Sequence, residues 1–272
     1  MRLDGTTWVV TGGGNGMGRE LVLQLLRRGA RVAAVDMRAD ALQEMALTAG
    51  AGQRLSLHVV DVTDRDAVEQ LVDEVQSAHG GVDGIINNAG IIQPFVGVAE
   101  LDYPTIEKVL DVNLMGTVYM VKAFLPVLLN RPQGYIANVS SMGGFFPFPG
   151  QSVYGASKAA VKLLTEGLFA ELIDTNVGVS VILPGAVNTS ISANSGVAAP
   201  ASPGDASRMP MTAAPRAAEI MLDGIEKQRL YIFVGKDARL MNLAIRLAPK
   251  QAIKAVQKQI EKLLAGEQGS LR

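Results

Sequence analysis

The 272-residue chain contains no cysteine. That absence removes disulfides, thiolate metal sites and a cysteine nucleophile, and it fits a reducing compartment. Histidine is scarce as well, with only His58 and His79, so no histidine cluster is available and no metal centre is expected. Neither sign of charge prevails: 25 Lys and Arg face 26 Asp and Glu, which gives no electrostatic ground for a nucleic-acid partner. No uninterrupted apolar run reaches the ~18 residues of a bilayer-spanning helix, and "MRLDGTTWVV" enters a strand-like run at once. Neither an export signal nor a transmembrane span is expected, and the expected location is cytoplasmic. What remains, 48% apolar and 19% charged, is the composition of a globular chain able to bury a substantial core.

Short apolar, β-branched runs alternate with longer helical patterns. The runs are "TTWVVTG", "RVAAVD", "LSLHVVDV", "GIINNAG", "YIANVSS", "VSVILPG" and "LYIFVG", and between them segments such as "DAVEQLVDEVQSAHG" repeat apolar residues at three and four. Buried strands separated by helices predict an α/β fold: a doubly wound, mostly parallel seven-stranded sheet with helices on both faces, Rossmann-like, in one domain over 1–272. Residues 190–215, rich in Ser, Ala, Gly and Pro, read as a long loop, either a substrate lid or a floppy insertion. Residues 236–272 read as a helical C-terminal extension. In it Lys250, Lys254, Lys258 and Lys262 recur against Ile253, Val256, Ile260 and Leu263, a basic amphipathic pattern suited to a lid, a subunit contact or an acidic membrane surface.

"TGGGNGMG" falls between the first strand and a helix. Its Gly12, Asn15, Gly16, Met17 and Gly18 stand where glycines allow a tight turn and close approach of a ligand, and where helix-start N–H groups meet a pyrophosphate. Asp36 ends the second strand, where a carboxylate accepts both hydroxyl hydrogens of an adenosine ribose and repels a 2′-phosphate. NAD is therefore expected in preference to NADP; Met37 and Asn15 supply no cation, and Arg38 is the one residue that speaks the other way. Asp61 and Val62 end the third strand within reach of an adenine ring, although "DVTDRD" equally suits a helix N-cap region. "NNAG" closes the fourth strand with Asn88, Ala89 and Gly90 at the carboxyl end, where open α/β sheets bind ligands. Asn87 could serve there or bridge neighbouring strands.

"SVYGASKAA" sets Tyr154 and Lys158 four residues apart on one helical face. A cation beside a phenol favours phenolate and brings it towards a working range as acid or base. An amphipathic tyrosine beside a surface lysine is the alternative.

With "TGGGNGMG", Asp36, "NNAG", "NVSS" and "YGASK" in that order, the chain resembles the short-chain dehydrogenase/reductase family from about Thr6 to Gly235. The resemblance implies a nicotinamide cofactor, hydride transfer at a carbon bearing oxygen, a small-molecule alcohol or ketone as substrate, and a homodimer or homotetramer. The family's catalytic tyrosine and lysine match Tyr154 and Lys158, its serine matches Ser141 rather than Ser140, and its asparagine matches Asn113 in "VLDVNLMGT". In that reading Tyr154 exchanges a proton with the substrate oxygen, Lys158 lowers the phenol's pKa and binds the nicotinamide ribose, Ser141 bonds the same oxygen, and Asn113 holds a water near the lysine. "PGAVNTS" is similar to the family's nicotinamide-holding turn, with Pro184, Gly185, the backbone of Val187 and the hydroxyl of Thr189 as contacts; Pro184 and Gly185 also suit the end of a strand. Phe145, Phe146 and Phe148 in "GGFFPFPGQ" hint at an apolar pocket for a fairly bulky substrate, or else at core or a subunit contact. A non-catalytic NAD-sensing or regulatory protein on the same fold is the second class; the intact set of Ser141, Tyr154, Lys158 and Asn113 favours the enzyme.

Overall fold

The computed structural model describes residues 1–197 and 211–258. From the N-terminus, β1 (Thr7–Thr11) leads to α1 (Gly16–Arg27), β2 (Arg31–Asp36) to α2 (Ala39–Ala49), and β3 (Leu55–Val59) to α3 (Arg65–His79). Strand β4 (Gly84–Asn87) precedes α4 (Tyr103–Leu110), which runs through a π-helical turn at Asp111–Met115 into α5 (Gly116–Leu129). Then come β5 (Gly134–Val139), α6 (Ser152–Leu172) and β6 (Val177–Pro184). The two-residue strands β7 (Val187–Asn188) and β8 (Thr212–Ala213) flank a short helix α7 (Ile191–Asn194), and α8 (Ala214–Glu226), β9 (Tyr231–Val234) and α9 (Lys236–Leu247) complete the order. Residues 249–258 are again helical.

The main sheet is seven-stranded and wholly parallel, in the order β3-β2-β1-β4-β5-β6-β9. Alternation along each strand divides its side chains between two layers. Val10, Ala34, Ile86, Ala137 and Ile182 pack with Leu21, Leu25, Met221 and Ile225 of α1 and α8. Val9, Ala33, Ile85, Ile136 and Val179 pack with Leu71, Met120, Phe124 and Leu168 of α3, α5 and α6. Burial on both faces explains why the inner strands read as continuous apolar runs. β3 departs from that expectation: as an edge strand it leaves Leu57 and Val59 exposed.

The chain builds outward from β1 to β3 and then returns to the other side of β1 with β4. The carboxyl ends of β1 and β4 therefore diverge into a crevice, the place where such sheets take ligands. Tyr103–Leu129 is long and apolar enough, by length and composition, to cross a bilayer. Within it Val109, Met120, Val121, Phe124 and Leu128 are buried, and so is Asn113 near its middle.

Candidate active site

The glycine loop is shaped by the absence of side chains. Gly12 and Gly16 take φ values of +65° and +52°, the left-handed region open to glycine. Gly18 packs under the Gly12 carbonyl, where a Cβ would collide with that oxygen. Gly14 does similar work: its N–H donates to Asp36 Oδ2 at 3.0 Å, and a Cβ there would stand 2.8 Å from Ala41 Cβ. Helix α1 starts at Gly16 with no side-chain cap and no acidic residue in its first turn, so its leading N–H groups and positive dipole end remain available to an anion. Thr11 joins the loop to the end of β4. Its Oγ1 accepts from the N–H groups of Asn88 and Ala89 at 3.0 Å, and its carbonyl accepts from Asn88 Nδ2 at 3.0 Å.

A cleft of about 230 Å³ lies over this crevice. Its walls bring together Gly12, Asn15, Gly16, Met17, Asp36, Asp61, Val62, Asn88, Ala89, Gly90 and Thr189. Met37 and Arg38 line it too, as do Ile91, Lys108, Val112, Ile191, Asn194 and Ser195, which sequence reasoning did not single out. Gly18 lies beneath it, and Pro184, Gly185 and Val187 are not among its walls. Asp36 Oδ1 accepts from the Arg38 N–H at 3.1 Å, which fixes the carboxylate at the cleft rim, while the Arg38 guanidinium is 3.5 Å from Asp40. Asp61 is not the helix cap: it accepts from Thr63, and Asp64 caps α3 by accepting from the Ala67 N–H at 3.1 Å. Asn87 takes the strand-bridging role, donating to Asn138 Oδ1 at 2.8 Å.

The second group of residues stands where β5 gives way to α6. Ser140 and Ser141 are separated by their bonds. Ser140 Oγ is committed to the Lys158 carbonyl at 2.7 Å, whereas Ser141 Oγ accepts from the Gly143 N–H at 3.0 Å and meets the Tyr154 hydroxyl. Lys158, buried, donates from Nζ to the Val139 carbonyl at 3.0 Å. Asn113 is directed inward from the π-helical turn, a local widening of a helix that is frequent at functional sites. Its Oδ1 accepts from the Ile91 N–H at 2.8 Å, and its Nδ2 donates to the Ile91 carbonyl at 3.0 Å and Ser157 Oγ at 2.9 Å. Gly90 admits these groups: a Cβ there would lie 3.0 Å from both Asn113 Oδ1 and Lys158 Nζ.

The electrostatics correct one expectation. Burial pushes the Tyr154 phenol above its ordinary value, against a downward pull from the Ser141 hydrogen bond. Lys158 itself is lowered to about 8 by burial. Desolvation is the largest cause at both groups. Of the alternatives for the phenylalanines, core holds for one. Phe146 is fully buried core, its ring centroid 5.4 Å from that of Phe148, and Phe145 packs edge-on to Phe233 of β9.

The 190–215 stretch is more structured at its margins than a loop. It contributes α7, β8 and the start of α8, and Ser195 Oγ accepts from the Ile92 N–H at 3.0 Å; the lid reading for 198–210 lies outside the described residues. In the C-terminal extension Lys250 and Lys254 are exposed and Ile253 and Val256 half-buried, while Ile260, Lys262 and Leu263 lie outside the described residues. One residue of α9 reaches the site's periphery. Asp237 Oδ2 accepts from the Ala186 N–H at 2.7 Å, and Gly185 and Gly235 have no Cβ to obstruct it.

A family model described as short chain dehydrogenase matches residues 6–198. The Mycobacterium tuberculosis protein SadH, named as an oxidoreductase, is 32% identical over 252 residues, covering 90% of this chain and 91% of that one. A short chain dehydrogenase/reductase from Burkholderia phymatum, solved in complex with NAD, superposes with a TM-score of 0.81 at 28% identity, covering 91% of this chain and 96% of that one. A short chain dehydrogenase from Burkholderia cenocepacia, solved in complex with NADP, gives 0.78 at 29% identity, covering 94% and 98%.

Proposed function

The chain belongs to the short chain dehydrogenase family of oxidoreductases, and from that premise we propose that it interconverts a secondary alcohol and a ketone with NAD as the preferred cofactor. The reading is supported by two pairs, Ser141 with the Tyr154 hydroxyl and Asn113 with Lys158 at Gly90, near the glycine-shaped cleft at the carboxyl ends of β1 and β4.

The residues present fit a dinucleotide. The side-chain-free surface over Gly12, Gly16 and Gly18 and the uncapped start of α1 suit the pyrophosphate, and Asp36 at the rim suits an adenosine ribose. Asp61 and Val62 would flank the adenine. Asn88, Ala89, Gly90 and Lys158 would hold the nicotinamide ribose, and the Val187 backbone and Thr189 the carboxamide, with Pro184 and Gly185 shaping that turn. When bound, the nicotinamide supplies the hydride acceptor or donor. Both Asp36 oxygens already accept one N–H each, and a carboxylate retains lone pairs for two hydroxyls but repels a phosphate.

Tyr154 would take a proton from the alcohol or give one to the ketone. Ser141 accepts from the Gly143 N–H and bonds the Tyr154 hydroxyl, so a substrate oxygen entering between the two hydroxyls would take the Ser141 hydrogen and have its orientation fixed. Lys158 uses one N–H on the Val139 carbonyl and keeps others for the cofactor ribose. Asn113, beside that ammonium, holds the Ile91 backbone and Ser157 and so fixes the floor between Gly90 and α6. A bulky apolar substrate, a lid formed by 190–215 and a homo-oligomer belong to the same proposal.

The test is a panel of secondary alcohols, from small polyols to cyclic and long-chain alcohols, incubated with NAD while nicotinamide absorbance is followed. Turnover is expected on the larger apolar members, with a loss of about 10²-fold or more in Tyr154→Phe. Cofactor binding without turnover of any alcohol or ketone would favour the sensor instead.

A further inference from the structure

Helix α6 presents the paired tyrosine and lysine, yet nothing local caps its start. The residue at its N-cap position, Gln151, makes no side-chain cap bond, so the first N–H groups of the helix need another acceptor. That acceptor comes from far along the chain. Gln93, fully buried, accepts on Oε1 from the N–H groups of Val153 at 2.8 Å and of Tyr154 itself at 2.9 Å. Its Nε2 donates to the Gly150 carbonyl at 2.9 Å, and its own carbonyl accepts from Gln151 Nε2 at 2.9 Å. One amide therefore does what a serine or aspartate N-cap does elsewhere, while also fixing the loop that turns into the helix.

The position of Gln93 gives this cap a further consequence. It follows directly on the cofactor-side loop: Gly90 stands against Lys158 and Asn113, the Ile91 backbone is held at both its N–H and carbonyl by Asn113, and the Ile92 N–H donates to Ser195. Four consecutive residues thus tie the end of β4 to the π-helical turn, to α7 and to α6. Gln93 is the tie that ends on the backbone of Tyr154.

We infer that Gln93 is a positioning residue, which sets the distance of Tyr154 from the cofactor loop by capping α6 through the Val153 and Tyr154 N–H groups. The inference deepens the proposed dehydrogenase reading and rests on it. A displacement of about 1 Å at the proton-transferring atom is enough to cost up to ~10²-fold in rate.

The test compares Gln93→Asn, whose amide is one methylene too short to reach the helix, with Gln93→Glu, which keeps an acceptor at full reach. With the best alcohol of the panel and NAD, Gln93→Asn is expected to lose about 10–100-fold in kcat, with NADH affinity by fluorescence titration within about threefold of wild type. Gln93→Glu is expected to keep kcat within about fivefold with its carboxyl protonated, the form that burial favours, since its carbonyl oxygen then accepts those N–H groups and its hydroxyl replaces Nε2 as the donor to the Gly150 carbonyl. Hydrogen exchange of peptides spanning 150–158 needs no substrate; it is expected to quicken in Gln93→Asn and not in Gln93→Glu, with the 11–18 loop unchanged. Equal kcat in Gln93→Asn and wild type, equal losses in both variants, or unchanged exchange at 150–158 would each overturn the inference. Wild-type protein that binds NADH and turns over no alcohol would fail the dehydrogenase reading instead, and the exchange result would still decide whether Gln93 caps α6.

Discussion

At the scale of single residues, Lys158 carries a conflict between stability and chemistry. Its amine is buried, with one hydrogen bond to a backbone carbonyl, and burial lowers it to about 8 from an ordinary 10.5. An amine whose folded pKa lies below its unfolded one binds its proton more weakly when folded. Folding is therefore penalised in full below about pH 8, and the penalty fades as pH rises towards 10.5, amounting to roughly 3 kcal/mol across that interval. Lys158→Met removes the titration. Denaturant titrations should show wild type gaining on Lys158→Met between pH 8 and 10.5, with little relative change from pH 6 to 8. A constant difference over the whole range would mean that the ammonium is solvated in the folded chain. The amine stands beside Gly90 and Asn113, and under the proposed function that place is what retains it despite the cost.

At the scale of elements, the clearest dependence is of the turn after β6 on the first turn of α9. The Gly185 N–H donates to the Val234 carbonyl at 2.9 Å, the Thr212 N–H to the Ala186 carbonyl at 2.8 Å, and the Ala186 N–H to Asp237 at 2.7 Å. The turn is thus held by β9, β8 and α9 together. A hydrogen bond to a charged acceptor contributes about 2 kcal/mol, so Asp237→Ala should lower Tm by roughly 4–8 °C in a chain of this length. The atoms a Cβ on Gly185 would meet are those of the Asp237 carboxylate, so Gly185→Ala should destabilise wild type through that collision. In an Asp237→Ala background the collision is gone. The double variant should then lose less than the sum of the single losses, by about 1 kcal/mol in a double-mutant cycle. Strict additivity would mean that the carboxylate and the turn do not communicate.

At the scale of the whole molecule, what could be read from the sequence was what is periodic or locally punctuated. β1, β4 and β5 announce themselves because both faces are buried, and the loop at Gly12–Gly18 because turns of that shape demand glycine. β7 and β8 were invisible because a two-residue pairing has no period. Gln93 and Asp237 were missed for a different reason. Each works through bonds to backbone groups brought close only by the fold, 61 and 51 positions away, and nothing in their neighbours in sequence marks them. Asp36 lies between these cases, since its place at a strand end was legible while its fixation by the Gly14 and Arg38 N–H groups was not. That fixation supports the last prediction. A carboxylate held at the rim by two backbone N–H groups resists swinging aside for a 2′-phosphate, while Arg38, which also lines the cleft, has its guanidinium 3.5 Å from Asp40. Ligands that bind only the folded chain raise its stability by about 2.7 kcal/mol at one hundred times their Kd, which for a chain near this length is roughly 5–10 °C in Tm. At equal concentration NADH should therefore raise Tm several degrees more than NADPH, and Asp36→Ala should narrow that gap by weakening the response to NADH and relieving the repulsion of NADPH. Equal responses to the two cofactors in wild type would remove Asp36 as the discriminating group while leaving membership of the family untouched.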